Sequence, residues 1–240
     1  MNKVQKVITA GGDSRALFMS AGFGVPKSLV SIGEGTVLSL ALNSYLNAGD
    51  KATVAINADE DSDFPISQTV EDFDPDLKIV RVNSSVKGAL ATALVAAGEM
   101  DLTSPLVIAA GDSTIKGGLA SHIEKFVASG CHSGTIAFES ENPRWSFLSV
   151  SEDGRVLEVA EKEVVGPLAS TGVFYFKTGQ LFLEAAEWVL LNRATVNDRY
   201  YVSTSLNYLI SRGLDVSYEV ISRRDYAAYS LPADLVKQAD

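Results

Sequence analysis

Short apolar runs alternate with amphipathic segments along most of the chain. Four runs in the first half have the length and composition of strands, and the third of them alternates apolar with polar residues: Val7–Ala10, Ala52–Asn57, Leu77–Val82 and Pro105–Ala110. Segments with apolar residues at helical spacing accompany them: Thr36–Gly49, Gly88–Ala97 and Gly118–Ser129. This alternation predicts an α/β fold, a three-layer α/β/α sandwich around a Rossmann-like, mixed and mostly parallel sheet.

The second half continues the pattern. Strands are predicted at Ser133–Phe138 and Ala169–Phe176, with a hairpin around Glu152–Gly154 between them and a helix over Gly179–Asn192 after them. In the first half, the acidic stretch Asp59–Asp63 is predicted to be a solvated loop without chemistry. No linker rich in Pro, Ser or Gly divides the 240 residues, so we expect a single domain over the whole length.

Composition narrows the possible partners. The formal net charge of −10 repels nucleic acid, and no apolar run approaches the roughly 20 residues that span a bilayer. The single cysteine, Cys131, cannot form an intramolecular disulfide, which agrees with a reducing compartment. We therefore expect a cytoplasmic protein that binds neither nucleic acid nor membrane.

The first predicted strand breaks abruptly into Gly11-Gly12-Asp13-Ser14-Arg15. Glycine permits a tight loop whose backbone N–H groups can point at an anion, and Arg15 and Lys27 can supply the positive charge that a triphosphate needs. The alternative is a plain turn between a strand and a helix. The glycine spacing matches neither the dinucleotide fingerprint nor the P-loop.

The run Pro105–Ala110 continues into Gly111-Asp112. A central parallel strand that ends in a carboxylate delivers it to the sheet edge where ligands bind. Mg²⁺ needs only one or two carboxylates when phosphate oxygens and water fill its other positions. Asp112 is therefore a candidate metal ligand, and the alternative is that it only caps the following turn.

Several segments in order resemble the nucleotidyltransferases that join an NTP to a sugar phosphate. They are Ala10–Arg15, Ala21–Phe23, Pro26–Leu29, Val86–Leu94, and Glu161-Lys162 followed by Ala169–Phe176. The resemblance makes Arg15 and Lys27 the catalytic cations, and it implies that residues 1–130 bind NTP and residues 131–240 bind the acceptor. The NTP-binding residues it implies are Ala10, Gly11, Gly12, Asp13, Ser14, Lys87, Gly88, Ala89 and Gly111. Asp13 stands where the family usually has a small residue.

The same resemblance implies an acceptor site formed by Glu161, Lys162, Thr171 and Gly172. Glu161 would bind hydroxyls or an amine, and Lys162 would bind the acceptor phosphate. It also implies that Mg²⁺ is held by Asp112, with Asp225 as an alternative source of a second carboxylate, since Tyr229–Pro232 replaces the family's usual terminal turn.

The implied reaction transfers a nucleotidyl group from an NTP, with CTP as the first candidate, to a sugar phosphate or similar metabolite and releases pyrophosphate. The sequences of these segments are most similar to those of capsule and surface-polysaccharide cytidylyltransferases. A homo-oligomer is among the expected partners. Two alternatives stay open: a non-catalytic binding module of the same fold, and a glycosyltransferase that uses a nucleotide-sugar.

Overall fold

The computed structural model describes residues 4–236, which form one nine-stranded sheet with helices on both faces. The sheet strands are β1 (Gln5–Ala10), β4 (Ala52–Asn57), β5 (Lys78–Val82), β6 (Leu106–Ala110), β8 (Ser133–Glu139), β9 (Ser146–Val150), β10 (Val156–Glu161), β11 (Leu168–Phe176) and β12 (Val216–Val220). Four short strands form two separate ribbons: β2 (Ser31–Ile32) with β3 (Gly35–Thr36), and β7 (Ser113–Ile115) with β13 (Tyr226–Ala228).

The direction of the strands confirms the predicted mixed, mostly parallel sheet. Strands β6, β1, β4 and β5 are neighbours in that order and run parallel. Strand β11 runs antiparallel to β6, β8 and β9, while β12 is parallel to β8 and β10 is antiparallel to β9. Only β10 and β11 therefore oppose the other seven strands of this sheet.

The helices cover the two faces of the sheet. They are α1 (Arg15–Ser20), α2 (Val37–Tyr45), α3 (Ala58–Asp63), α4 (Ile66–Phe73), α5 (Ala89–Val95), α6 (Ala120–Ser129), α7 (Gly179–Leu191), α8 (Val202–Ser211) and α9 (Pro232–Val236). Apolar side chains of α2, α4 and α6 share one core with Ile8 of β1. Those of α5, α7 and α8 share a second core with the neighbouring Val7. Because successive strand residues point to opposite faces, this division confirms the three layers.

The acidic stretch Asp59–Asp63 is not a solvated loop, as its composition suggested. It belongs to α3, where the side chain of Asn57 caps the helix by accepting from the backbone N–H groups of Asp59 and Glu60. Glu60 is only 2% exposed. Helix α4, which follows at once, has no predicted counterpart.

Helix α2 ends at Tyr45, before the predicted boundary at Gly49. The ammonium of Lys6 on β1 lies 2.8 Å from the carbonyl oxygen of Tyr45 and 2.6 Å from Oδ2 of Asp50. Since Lys6 is 5% exposed, this buried cation satisfies the helix end and neutralises the carboxylate that follows it.

We expect Lys6→Met to lower the free energy of unfolding by about 3 kcal/mol, because the change leaves a largely buried carboxylate without its cation. Urea denaturation measures the difference. Lys78→Met is the matched control: the Lys78–Glu99 pair is exposed, so its loss should cost less than about 1 kcal/mol. Equal effects of the two changes would show that the Lys6 contact contributes no more than a surface pair.

Within residues 4–236, every helix is too short or too polar to traverse a lipid bilayer.

Candidate functional site

The site lies where β11 changes neighbours. Leu168 and Ala169 pair with β9, whereas Val173–Phe176 pair with β6, and β8 accompanies both parts. The intervening residues, Ser170–Gly172, pair with neither β9 nor β6, and the register with β8 shifts there as well. This shift is a bulge, which opens the sheet between β9 and β6.

Glycine is required inside this opening. Gly172 has φ +82°, a conformation that side chains of L-residues disfavour, and a Cβ added to it would lie 3.5 Å from Cβ of Ala110 at the end of β6. Thr171 is buried, and its hydroxyl donates to the carbonyl oxygen of Ile136. The hydroxyl of Thr171 is therefore bound to β8, and its role in binding the acceptor stays a prediction.

The carboxyl ends of the parallel strands meet beside this opening. The loop after β1 begins at Gly11, whose added Cβ would lie 3.0 Å from Thr92 of α5 and 3.2 Å from Val82 of β5. Asn57, at the end of β4, donates to the Gly11 carbonyl oxygen. The loop is thus packed at its start, while Gly12 and Asp13 are exposed. An open loop at this edge of the sheet is where α/β proteins bind ligands.

Ser14 closes the loop and is held from two directions. Its backbone N–H and its hydroxyl both donate to Oε1 of Glu60, at 2.7 and 2.9 Å. Its Oγ accepts from the backbone N–H of Lys27 at 3.1 Å. Ser14 therefore connects α3 to the segment that carries Lys27.

Lys27 and Asp112 form an ion pair with 2.5 Å between Nζ and Oδ2, and their side chains are 21% and 18% exposed. The two groups come from opposite sides of the loop: Lys27 from the turn after α1, and Asp112 from the end of β6. The predicted catalytic cation and the predicted metal ligand thus lie in contact. Because both side chains are still partly exposed, water or an incoming ion can reach the pair.

Arg15 occupies a different place. It pairs with Asp63, and its guanidinium carbon lies 5.2 Å from the ring centre of Phe64. Both charged side chains are about half exposed, so the pair costs little to break. Arg15 is close to the loop in sequence, but its side chain is directed toward α3.

The segment Lys87-Gly88-Ala89 begins α5 against the backbone of Tyr200. Gly88 has φ +98°, and a Cβ there would lie 2.1 Å from the carbonyl oxygen of Tyr200. Tyr200 also donates its N–H to the Lys87 carbonyl and accepts from the N–H of Leu90. Glycine is required here by a close approach from the second half of the chain.

Glu161 and Lys162 lie on the other side of the opening. Glu161 pairs with Ser146 of β9, and the next residue of β9, Phe147, pairs with Ala169 of β11. Its Oε2 accepts from the hydroxyls of Ser146 and Ser203, and burial raises the pKa of its carboxyl group. Two hydroxyl donors fix the orientation of this carboxylate.

Lys162 is exposed and has φ +59°, which a non-glycine residue adopts rarely. Its ammonium lies 5.2 Å from the ring centre of Tyr201, and its backbone N–H donates to Trp145. The strained backbone turns the lysine from the end of β10 toward the start of α8. Backbone strain often accompanies a functional position.

Arg144 is a charged group of this region that the sequence did not single out. Its guanidinium binds Asp234 through two contacts of 2.6 Å and lies 4.3 Å from the ring centre of Trp145. The bond to Asp234 raises the pKa of Arg144, and the charge of Asp112 acts in the same direction. Asp234 balances the charge of Arg144, so this pair orders the segment before β9 and adds little net charge to the region.

Two solved structures have closely similar architecture. A nucleoside-diphosphate-sugar pyrophosphorylase from Vibrio cholerae RC9 superposes with a TM-score of 0.81 at 20% identity, over 97% of this chain and 98% of that one. A protein assigned as a glucose-1-phosphate thymidylyltransferase from Bacillus anthracis, in complex with a sucrose, gives 0.77 at 15% identity, over 98% and 93%. This chain has the sugar-phosphate nucleotidyltransferase fold. No family model and no curated protein sequence matches it.

The nucleotidyltransferase fold does not bring Asp225 to Asp112. Strand β13 pairs Tyr226 with Ile115, so Asp225 lies opposite Lys116, four residues beyond Asp112 and about 13 Å away along the strand. The residue beside Asp112 is Tyr229, which donates its N–H to the Asp112 carbonyl oxygen. Asp225 therefore lies outside the site that contains Asp112.

Asp112 suits a magnesium ion whose other ligands come from water and phosphate. Asp112 is a partly exposed carboxylate at the end of a strand, and residues 4–236 contain no cluster of three or more His, Cys, Asp or Glu side chains suited to a metal. Mg²⁺ takes one or two carboxylates and leaves its other positions to water and phosphate. Asp112 and a triphosphate would together meet this requirement.

Glu60 is the functional candidate that sequence reasoning missed. A signal was present: Asn57 precedes Glu60 by three residues, the spacing of a helix N-terminus in which the third residue faces back toward the cap. From this spacing, a helix directly after β4 could have been predicted. The spacing would not have shown that Glu60 contacts Ser14, 46 positions earlier in the chain.

Proposed function

We propose that this protein is a nucleotidyltransferase that joins an NTP to a sugar phosphate or similar phosphorylated metabolite and releases pyrophosphate. One observation carries the proposal: two sets of side chains, each with one lysine and one carboxylate, border the same opening in the sheet. Lys27 and Asp112 stand by the glycine loop on one side, and Glu161 and Lys162 stand on the other. The fold neighbours, a pyrophosphorylase and a thymidylyltransferase by description, support the same reaction type.

The reaction needs little proton transfer. A phosphate oxygen of the acceptor forms a bond to the α-phosphorus of the NTP while the bond from that phosphorus to the bridging oxygen breaks, and pyrophosphate leaves. Because the nucleophile is already anionic, the protein has to align two anions and offset their repulsion. Lys27 would neutralise the triphosphate, and Lys162 would hold the acceptor phosphate in line. Bound Mg²⁺, held by Asp112 and phosphate oxygens, would supply additional neutralisation of charge.

The finer specificity is part of the proposal. CTP is the first candidate nucleotide, with UTP and dTTP next, and the product would serve capsule or surface-polysaccharide synthesis. The glycine loop, with Lys87, Gly88 and Ala89 at α5, would contact the nucleotide. Arg15 would leave Asp63 to bind the triphosphate, since that ion pair is exposed and weak.

Pyrophosphate release tests the proposal directly. A panel of NTPs is combined with phosphorylated sugars and related acceptors in the presence of Mg²⁺, and pyrophosphate should appear only when a matching pair is present. Binding of NTP by calorimetry without turnover for any pair would instead indicate a non-catalytic module. Release of nucleoside diphosphate from a nucleotide-sugar would indicate a glycosyltransferase.

Lys162→Ala should lower kcat/KM for the acceptor by about 10- to 100-fold, the effect of losing one hydrogen bond to a charged group. The affinity for NTP should stay unchanged, because no contact with the triphosphate is removed. Steady-state kinetics and calorimetry measure the two quantities. Lys177→Ala is a suitable control, since Lys177 follows the far end of β11. Weaker NTP binding with normal acceptor saturation would contradict the assignment of the two sides.

A further inference from the structure

Glu60 has an arrangement that its contribution to stability does not explain. The residue is 2% exposed, and none of the ion pairs among residues 4–236 includes it. Its Oε1 accepts both bonds from Ser14, while its buried Oε2 has no hydrogen-bond partner in the described part of the chain. A buried carboxylate with an unsatisfied oxygen destabilises a fold, so the position favours a function.

The carboxylate of Glu60 is not needed by its own helix. Asn57 already caps α3 through its side chain. The other three acids of α3 have separate partners: Asp59 binds Ser84, Asp61 binds Arg81 and the N–H of Ser67, and Asp63 pairs with Arg15 at the start of α1. Of these four acids, only Glu60 binds Ser14, the residue that closes the glycine loop before α1 begins.

The hydroxyl of Ser14 does not cap the helix that follows it. It stands at the N-cap of α1, where a serine hydroxyl commonly accepts from the helix N–H groups, yet it makes no such bond. Instead the hydroxyl donates to Glu60 and accepts from the N–H of Lys27. Glu60 thus holds Ser14, and Ser14 holds the backbone of Lys27, whose side-chain ammonium pairs with Asp112.

We propose that Glu60 is a positioning residue that fixes the anion-binding loop and, through Ser14, the backbone of Lys27. Its role in turnover rests on the proposed function, whereas its hold on the loop does not. The carboxylate is suited to this task because one charged oxygen accepts both N–H and O–H of the same residue, and hydrogen bonds to charged groups are the stronger kind. Glutamine would keep an acceptor but lose the charge, and it would bury an amide group where no acceptor is provided.

Glu60→Gln tests the proposal in the 240-residue chain. Backbone hydrogen exchange of residues 11–16 should become about 10- to 100-fold faster, because a charge-assisted bond is replaced by a weaker one. Asp61→Asn is the matched control: Asp61 lies on the same helix and its side chain is 5% exposed, but its partners lie away from the loop. The control should leave exchange of the loop unchanged. Loop exchange in Glu60→Gln equal to that of the control would overturn the proposal.

Ser14→Ala and Ser14→Thr approach the same contact from the loop. Alanine removes the hydroxyl that joins Glu60 to Lys27, and threonine restores it. Ser14→Ala should therefore speed loop exchange, and Ser14→Thr should return it toward the wild-type rate. If Glu60→Gln is too unstable to study, Ser14→Ala and Ser14→Thr decide the question. Equal rates of loop exchange in these two variants would contradict the proposal.

Kinetics distinguish positioning from general stability. With the substrate pair identified by pyrophosphate release, Glu60→Gln should lower kcat by about tenfold or more and leave KM for the acceptor unchanged, since only the nucleotide side is misaligned. Equal loss in Asp61→Asn would indicate a merely structural role and overturn the proposal. Absence of pyrophosphate release by the wild-type protein contradicts the proposed function instead, and the exchange measurements still decide whether Glu60 holds the loop.

Discussion

Lys27→Ala should slow pyrophosphate release by about 10²–10³-fold, the usual effect of losing one preorganised charge at a transition state. The structure adds a second, opposite effect. Because Lys27 is the cation in contact with Asp112, its removal frees the carboxylate, and Mn²⁺ alone should bind more tightly. Steady-state kinetics measure the first effect, and electron paramagnetic resonance of Mn²⁺ measures the second.

Lys116→Ala is the control for this experiment. Lys116 is an exposed cation four residues after Asp112, and its backbone N–H binds Asp225 rather than the site. Its removal should leave both the rate and the metal affinity close to those of the wild type. If Lys27→Ala behaves in the same way as Lys116→Ala, then Lys27 does not act on the triphosphate.

Asp112→Asn should abolish the dependence of turnover on Mg²⁺ and lower the rate by about 10²–10³-fold, because the amide neither balances the charge of a divalent ion nor binds it well. Here too an opposite effect is expected. The ammonium of Lys27 loses its counter-charge, so NTP should bind more tightly when no metal is present. Calorimetry with and without Mg²⁺ measures this difference.

Asp225→Asn separates the metal interpretation from a general effect of removing acids. Asp225 lies about 13 Å from Asp112 along the strand, and its replacement should leave the dependence on Mg²⁺ intact. An equal loss of Mg²⁺ dependence in Asp112→Asn and Asp225→Asn would indicate that Asp225 is a metal ligand. Unchanged dependence in Asp112→Asn would favour the role of Asp112 as a turn cap.

The strands of the nine-stranded sheet could be predicted because their signal is local. The run that becomes β6 is apolar throughout, and the hairpin β9–β10 is marked by the turn Glu152–Gly154, so each could be recognised without its neighbours. Helix α3 could not be recognised in this way, because four of its six residues are acidic and its composition resembles that of a solvated loop. What favours the helix is its side-chain cap at Asn57, and no count of acidic residues reveals that cap.

The site could be predicted only in parts. Strand ends and glycines indicated Gly11 and Asp112, but no local pattern shows that Lys27 and Asp112 are in contact across 85 positions. The opening in the sheet depends on the pairing of β11 with three other strands, which is a property of the whole fold. For the same reason, the sequence around Asp225 does not show that the pairing of β13 with β7 puts Asp225 opposite Lys116.

The segment Tyr200–Ser203 contacts both sides of the site. The backbone of Tyr200 binds α5 at Lys87 and Leu90, the ring of Tyr201 lies beneath the Lys162 ammonium, and Ser203 binds Glu161. We expect a ligand that shifts this segment from one side to shift the groups on the other. Thermodynamic linkage then requires that the effect be mutual: if bound NTP raises the affinity for the acceptor by some factor, bound acceptor raises the affinity for NTP by the same factor.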